Sequence, residues 1–366
     1  MGVASAQSSV TISGVLDAGY VHTKEVATGA AKGNVTRGNN NRINFSVSED
    51  LGGGMRAIAN VGMRFEPATG VAESNGARPL FQGETRVGVS GGFGTVMFGR
   101  GLTALQGPNG GFADPWGVTT VAGSIYSPGF VSDYAGGGEG RIDTAIFYTS
   151  PNISGFTLSA SFSPRKVALA ATTVATTPYS KTHSAVNALY VAGPLGIGAG
   201  VENNRAGDSF TNIYGSYDLG VAKLHAAYGT IKGGTAAERN GLTLAATANN
   251  VATGNTAAGS AYSATTGTGI VAVNGEINTW TIGAVMPMGA TSLRAGYSVW
   301  NGNGAPGQKD DAKLGLGVRH NLSKRTYVYS DIATVTRKNN TGTVDATGNR
   351  AGTRQMLLDL GVAHSF

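Results

Sequence analysis

Arg42-Ile43-Asn44-Phe45-Ser46-Val47-Ser48-Glu49 alternates strictly, with Ile43, Phe45 and Val47 on one face and Arg42, Asn44, Ser46 and Ser48 on the other. Period-two alternation of this kind predicts a strand with one dry face and one wet face. Asp50-Leu51-Gly52-Gly53-Gly54 follows as a tight turn, in which glycine supplies the positive φ that other residues resist. The chain then returns from Met55 to Glu66, with Met55, Ala57, Ala59, Val61, Met63 and Phe65 opposite Arg56, Asn60 and Arg64. The product is a hairpin whose two faces want different solvents.

The unit recurs in both directions. Upstream, Val10-Thr11-Ile12-Ser13-Gly14-Val15-Leu16-Asp17-Ala18-Gly19-Tyr20 alternates in the same way. Downstream, strands are predicted near 80–90, 94–101, 142–150, 155–167, 181–192, 196–204, 209–218, 220–232, 276–287, 290–301, 311–321, 325–336 and 354–366. With the first three this makes about sixteen, the even number that bacterial outer-membrane barrels require. Short turns (Gly91–Gly94, Pro151–Gly155, Gly193–Gly196, Asp218–Gly220, Pro287–Ala290, Leu322–Arg325) alternate with longer connections at 25–40, 67–79, 101–141, 168–180, 233–275, 302–310 and 337–353. In that longer set only 204–208 is short. Short turns at one rim and long loops at the other distinguish a membrane barrel from a soluble β-sandwich. Lipid cannot satisfy backbone polar groups, so such a sheet must close on itself. An extra hairpin within 233–275 would raise the count to eighteen; the simpler reading is one long external loop.

Composition agrees with this class. The 366 residues include 58 glycines and no cysteine, and carry a net charge of +6. Charged residues make up 13% of the chain, against about 25% in an ordinary soluble domain. No stretch approaches the roughly 18–20 consecutive apolar residues of a membrane helix. The aromatics and the regular alternation argue against disorder. Val3-Ala4-Ser5-Ala6 before Gln7 has the small-residue form of a signal-peptidase site, so 1–6 reads as a signal-peptide remnant and 7–366 as one exported barrel domain. Tyr148, Tyr217, Tyr228, Trp280, Tyr297, Trp300, Tyr327 and Tyr329 lie near strand ends and suit an interfacial girdle.

The stretch 101–141 has no period, is rich in Gly, Asp and Tyr, and separates two well-patterned strands. A connection that long inside a compact domain is usually functional, and the expectation is that it folds inward and narrows the lumen. Enzyme motifs are absent: there is no G-x-S-x-G, H-E-x-x-H or Walker A sequence, and His22, His183, His225, His320 and His364 are scattered. No catalytic residue, metal or other cofactor is expected. Nucleic-acid binding would need a clustered basic patch, which the sequence does not offer.

Several segments taken in order resemble the general trimeric porins of Gram-negative bacteria, in particular the neisserial and β-proteobacterial branch. They are Ser9–Asp17, Glu49–Gly54, Val87–Val96 with Phe98-Gly99-Arg100, Tyr148–Phe156, Leu322–Thr326 and Gly361–Phe366. The resemblance spans nearly the whole chain from Ser8. It implies a sixteen-stranded antiparallel transmembrane β-barrel in the outer membrane, assembled as a homotrimer, with the third external loop folded into the lumen. It also implies that Phe366 is an outer-membrane assembly signal.

Passive conduction needs a wet passage and a field that biases which ions enter, not a nucleophile or an acid–base pair. Strand parity puts Arg42 and Arg64 on lumen-facing positions, with Glu84 and Arg86 on the polar face of the next strand and Arg141 opening the one after the loop. Asp114, Asp133 and Glu139 are the carboxylates of the 101–141 stretch. The expected eyelet is a transverse field between these arginines and these carboxylates. In the anion-selective members that the sequence resembles, an arginine cluster lines the constriction; Arg42 and Arg141 match it. Gly83 and Phe147 stand where relatives often carry basic residues, which weakens the match. The expected partners are outer-membrane lipid, lipopolysaccharide and small anionic or neutral hydrophilic solutes, passed by diffusion. A competing reading is a substrate-specific channel in which Trp116, Tyr126 and Tyr134 form a stacking track for one organic or aromatic anion. Another is a receptor or adhesin acting through 233–275.

Overall fold

The computed structural model describes residues 8–26, 29, 31–73, 80–117, 119–126, 140–164, 181–204, 207–233, 275–301, 310–338 and 354–366. The 1–6 remnant, most of the 233–275 loop, and Asp133, Tyr134 and Glu139 lie outside the described residues. Almost everything described is strand. The first part of the chain gives β1 (Ser9–Glu25), β2 (Ala31–Thr36), β3 (Arg42–Gly52), β4 (Met55–Arg64), β5 (Glu84–Gly91) and β6 (Gly94–Leu102), then one helix, α1 (Gln106–Ala113). The middle gives β7 (Arg141–Thr149), β8 (Phe156–Ser163), β9 (His183–Ala192), β10 (Leu195–Asn203), β11 (Ser209–Asp218) and β12 (Lys223–Lys232). The last part gives β13 (Glu276–Met288), β14 (Thr291–Asn301), β15 (Asp310–Asn321), β16 (Thr326–Lys338) and β17 (Arg354–Ser365).

Neighbouring strands pair antiparallel from β3 onward, and β17 pairs back onto β1 from Val15↔Ser365 to Glu25↔Gln355. The sheet is closed. It has sixteen barrel strands, because β2 and β3 pair with successive parts of β1 and make one strand interrupted at 37–41. Asp17 organises that interruption. Its backbone N–H donates to Asn41 Oδ1 (2.6 Å), Asn41 Nδ2 donates to its carbonyl (2.9 Å), and its carboxylate accepts from Gly38 N (2.6 Å) and the Tyr329 hydroxyl (2.8 Å). The sequence reading treated 25–40 as a linker and missed β2. Ala31-Lys32-Gly33-Asn34-Val35-Thr36 has no apolar period, and it becomes a strand through its ladder to β1.

The two faces of the wall differ as the alternation predicts. Val10, Ile12, Leu16, Phe45, Val47, Val87, Val89, Ile213, Ile282 and Leu360 are exposed. Asp17, Asn187, Glu202, Asn212, Ser298, Asp331 and Asp359 are buried on the other face. A continuous apolar band of this extent would be an aggregation hazard in water, whereas lipid requires it. Tyr148, Tyr217, Tyr228 and Tyr297 are exposed with the apolar band, and Trp280 packs beside Tyr297 at 5.5 Å between ring centroids. Three residues of the expected girdle belong elsewhere. Trp300 and Tyr329 are buried, and Tyr327 lies under the Arg319 guanidinium at 3.6 Å. Parity explains this: Tyr327 and Tyr329 sit four and two residues before Asp331 and share its polar face.

Candidate functional site

Five of the sequence-predicted residues, Arg42, Arg64, Glu84, Arg86 and Arg141, converge on one side of the barrel. Arg42 and Arg64 are directly paired across β3 and β4, and Arg86 pairs with Asn60 across β4 and β5. Arg86 Nη2 donates to Glu84 Oε2 (2.8 Å) while its guanidinium lies 5.2 Å from the centre of the Phe147 ring. Arg141 Nε donates to the Gly83 carbonyl at 2.5 Å, and Arg42 Nη1 donates to the Asn40 carbonyl at 3.1 Å. The positions where relatives often carry basic residues therefore still serve the cluster: Gly83 holds Arg141 through its backbone, and Phe147 supports Arg86 through its ring.

The cluster is larger than the sequence reading drew it, and partly neutralised. Glu73 is buried in the 67–79 connection, accepts from Arg37 Nη2 (2.7 Å) and is ion-paired with Arg64 Nη2 (3.0 Å), with Gln82 Nε2 bonded to its second oxygen. Arg37 also reaches Glu66 at 3.3 Å. Arg64 is thus an ion-paired buried residue, unlike the partly exposed Arg42, Arg86 and Arg141. Removing one partner from a buried pair is far costlier than never having built it, so Glu73 fixes this corner.

The described part of the 101–141 stretch is fastened mainly to polar-face side chains of β10 to β17, with further bonds to Ser161 on β8 and to the break in the second barrel strand. Thr103 Oγ1 donates to Glu202 Oε2 (2.8 Å), and His225 Nδ1 donates to the Phe112 carbonyl (3.1 Å). Trp116 Nε1 donates to Asp331 Oδ1 (2.7 Å), the Val121 amide to Asp359 Oδ2 (2.9 Å), and Lys313 Nζ to the Gly123 carbonyl (2.5 Å). The Ile125 amide reaches Ser298 Oγ (3.0 Å), Asn212 Nδ2 donates to the Tyr126 hydroxyl (3.0 Å), and the Thr120 amide donates to Gly38 O (2.7 Å), which the break in the second barrel strand leaves available. Bonds with a charged partner are worth about 1.5–3 kcal/mol each, so the segment is held along its length.

Glycine in the wall makes this close approach possible. A Cβ on Gly315 would lie 2.5 Å from the Ala122 carbonyl, and one on Gly283 would lie 2.5 Å from Pro115 Cγ. At Gly296 it would meet the Trp116 ring at 2.8 Å. Apolar packing completes the seat: Leu105, Ala113 and Tyr126 join Phe210, Tyr214, Ile231, Ile277 and Trp300 in one buried cluster. Burial also holds the Tyr126 phenol neutral by pushing its pKa well above the ordinary value.

Asp114 is placed differently from its expected role. It is buried, and its carboxylate accepts from the backbone amides of Trp116 (2.9 Å) and Ser124 (3.0 Å), so it shapes the segment internally. Asp-Pro-Trp-Gly already carries that signal, since aspartate readily bonds a backbone amide two residues on. Trp116 and Tyr126 are also buried against the wall, which leaves neither ring free as a stacking surface. Sequence reasoning missed Arg37, Glu73, Gln82, Lys313, Asp331 and Asp359. Alternation marks the strand residues among these as polar-face positions, but nothing in the sequence joins them to 101–141.

Comparison with known proteins agrees with this architecture. A model of the Gram-negative porin family matches residues 2–340. The outer membrane porin protein 32 of Delftia acidovorans is 26% identical over 387 aligned positions, covering 100% of this chain and 96% of that protein. The major outer membrane protein P.IB of Neisseria sicca is 31% identical over 44% of this chain and 43% of its own length. Among solved structures, the anion-selective porin from Comamonas acidovorans superposes with a TM-score of 0.75 at 21% identity, covering 98% of this chain and all of that one. The chain belongs to the Gram-negative porin family, and its closed sixteen-stranded barrel is an outer-membrane porin.

Proposed function

We propose that the barrel is a water-filled channel for passive diffusion of small hydrophilic solutes, with anions preferred, and that the 101–141 stretch crosses its lumen and sets the narrowest point. The observation that carries this reading is the opposition of two built structures. Arg42, Arg86 and Arg141 cluster on β3 to β7, and the segment from Thr103 to Tyr126 is bonded to polar-face residues of β10 to β17. In this arrangement permeating ions pass between the arginines and the segment. Asp133 and Glu139 remain candidates for the facing charge, while Asp114 serves the segment's fold. Proteins of this family are channels, and the proposed role needs no catalytic group. Purified protein in a planar bilayer should give stepwise, salt-dependent conductance; well-folded protein that never conducts would refute the reading.

Gly315→Val tests the seat of the segment. Overpacking of this kind costs about 1–3 kcal/mol, concentrated where Ala122 lies against the wall. The barrel should still assemble, with a larger and noisier unit conductance than the parent. An unchanged conductance would mean that the segment does not limit flow.

We also propose a homotrimer in contact with outer-membrane lipid and lipopolysaccharide, using the outer faces of β1 and β17 between protomers. Val10, Ile12, Leu16, Tyr20, Leu358, Leu360 and Val362 there form one apolar surface across the closing seam. Phe366 completes that seam, exchanging backbone hydrogen bonds with Gly14 at 3.0 and 3.2 Å, which suits its reading as an assembly signal. A heat-labile oligomer band on gels is expected, and a monomer by light scattering in mild detergent would contradict the trimer.

A further inference from the structure

Thr144 holds a backbone φ of +51° within β7, and among the described residues it is the one non-glycine in a strand to have a positive φ. A β-branched residue in the left-handed region is an outlier, and strain of this kind persists only where the surroundings over-determine it. The pairing shows where it sits. Between Gly99↔Ala145 and Gly101↔Ile142 the register shifts, so Asp143 and Thr144 stand together opposite Arg100 alone. This is a β-bulge, one extra residue that bends and twists its strand. Thr144 is exposed, so its backbone rather than its side chain makes the feature.

The surroundings hold the bulge from three sides. β7 pairs with β8 only from Ile146↔Phe162 onward. Beyond that point the Ser163 hydroxyl lies 3.1 Å from both the Asp143 and the Thr144 carbonyl oxygens and donates to them, which supplies partners that the ladder does not. On β6, Gly99 has a φ of +130°, and a Cβ there would collide with the Thr85 carbonyl. On the inner side, Ile142, Ala145 and Phe147 share one buried cluster with Met97, a spacing that an unbroken strand does not give.

Two arginines of the constriction flank this bulge. Arg86 pairs with Gly99, and its side chain lies over Gly101, where a Cβ would come within 2.7 Å of Arg86 Cδ. Arg141 stands two residues before Asp143, pairs with Leu102 and donates to the Gly83 carbonyl. The same place is the neck of the 101–141 stretch. Leu102 and Arg141 leave and re-enter the sheet side by side, and the Thr103 amide donates to the Gly140 carbonyl at 2.7 Å. The number of residues that β7 places between Ile142 and Ala145 therefore sets the position of Arg141 relative to Arg86.

We propose that Thr144 is a positioning residue of the constriction: the extra residue it adds to β7 fixes Arg141 against Arg86, and anion preference depends on that placement. Without it, Arg141 would move by one position, about 3.3 Å along the strand, and turn toward the opposite face of the sheet. Ser163 acts with it by capping the two carbonyls of the bulge.

The inference rests on the conducting-channel reading, and the experiment separates the two. Stepwise current through the purified parent in potassium chloride tests the channel, and a parent that never conducts would refute both. The zero-current potential of variants under a potassium chloride gradient then tests the bulge alone. Deletion of Thr144 should leave a conducting barrel whose chloride-to-potassium permeability ratio falls about threefold, the effect of moving one unit charge away from the ion path. Thr144→Gly keeps the extra residue and accepts the positive φ, so it should hold the parent ratio. Ser163→Ala removes both capping hydrogen bonds and leaves the residue count unchanged. It should lower the ratio by a smaller factor and add open-channel noise, and it covers the case in which the deletion fails to assemble. A conducting deletion variant with the parent ratio, a Thr144→Gly ratio as low as that of the deletion, or a Ser163→Ala channel identical to the parent would each overturn the assignment.

Discussion

With Arg42 and Arg141 both replaced by alanine, the channel is expected to lose most of its preference for chloride over potassium while assembling normally. Both side chains are partly exposed, and each donates a guanidinium N–H to a backbone carbonyl, Asn40 for Arg42 and Gly83 for Arg141. The nearby carboxylates keep other cations when Arg141 is removed, Glu84 through Arg86 and Glu73 through Arg37 and Arg64, so the fold should tolerate the change. A unit charge about 5 Å from a passing ion contributes roughly 1–3 kcal/mol between the dielectric limits of water and protein surface. Losing two should change the chloride-to-potassium permeability ratio by about tenfold. The effect should be largest at low ionic strength, where screening is weakest. A double variant that keeps the parent zero-current potential would show that these arginines do not act as the filter.

Glu73→Gln should act in the opposite direction on selectivity and more severely on structure. Glutamine keeps the shape of the side chain but leaves Arg37 and Arg64 without the carboxylate they share. Breaking a buried pair in this way costs about 3–5 kcal/mol. The connection carrying residue 73 should detach from the wall and become open to protease, and the loss of one negative charge beside Arg37 and Arg64 should raise chloride preference above that of the parent. Limited proteolysis reads the first effect and the zero-current potential reads the second. If the connection stays protected and the potential is unchanged, Glu73 is not what neutralises this corner.

The fold was legible because the membrane imposes its demand at every second residue. Ile43, Phe45 and Val47 had to face lipid, so their neighbours had to face water, and the same logic placed almost every strand. It failed for β2, where Val35 is the one large apolar residue and pairing with β1 supplies the structure instead. Residue type also misled where parity would not have: Tyr327 and Tyr329 look like interfacial aromatics, but their even spacing from Asp331 places them on the polar face. The site was legible in half. Arg42, Arg86 and Arg141 follow from parity alone. Glu73 does not, because it lies in an aperiodic connection and reaches Arg64 only through the closed sheet. The seat of the segment was hidden for the same reason. Gly283, Gly296 and Gly315 are recognisable as polar-face glycines, yet what approaches them comes from more than 150 positions earlier in the chain.

The measurement that tests the central claim most directly is the zero-current potential of the purified protein in a planar bilayer under a potassium chloride gradient. The account predicts a sign that reports chloride as the more permeant ion, with the arginine side of the constriction dominating the field. A potential of the opposite sign would keep the channel but contradict its proposed filter, and would assign the constriction to carboxylates such as Glu84, Asp133 and Glu139.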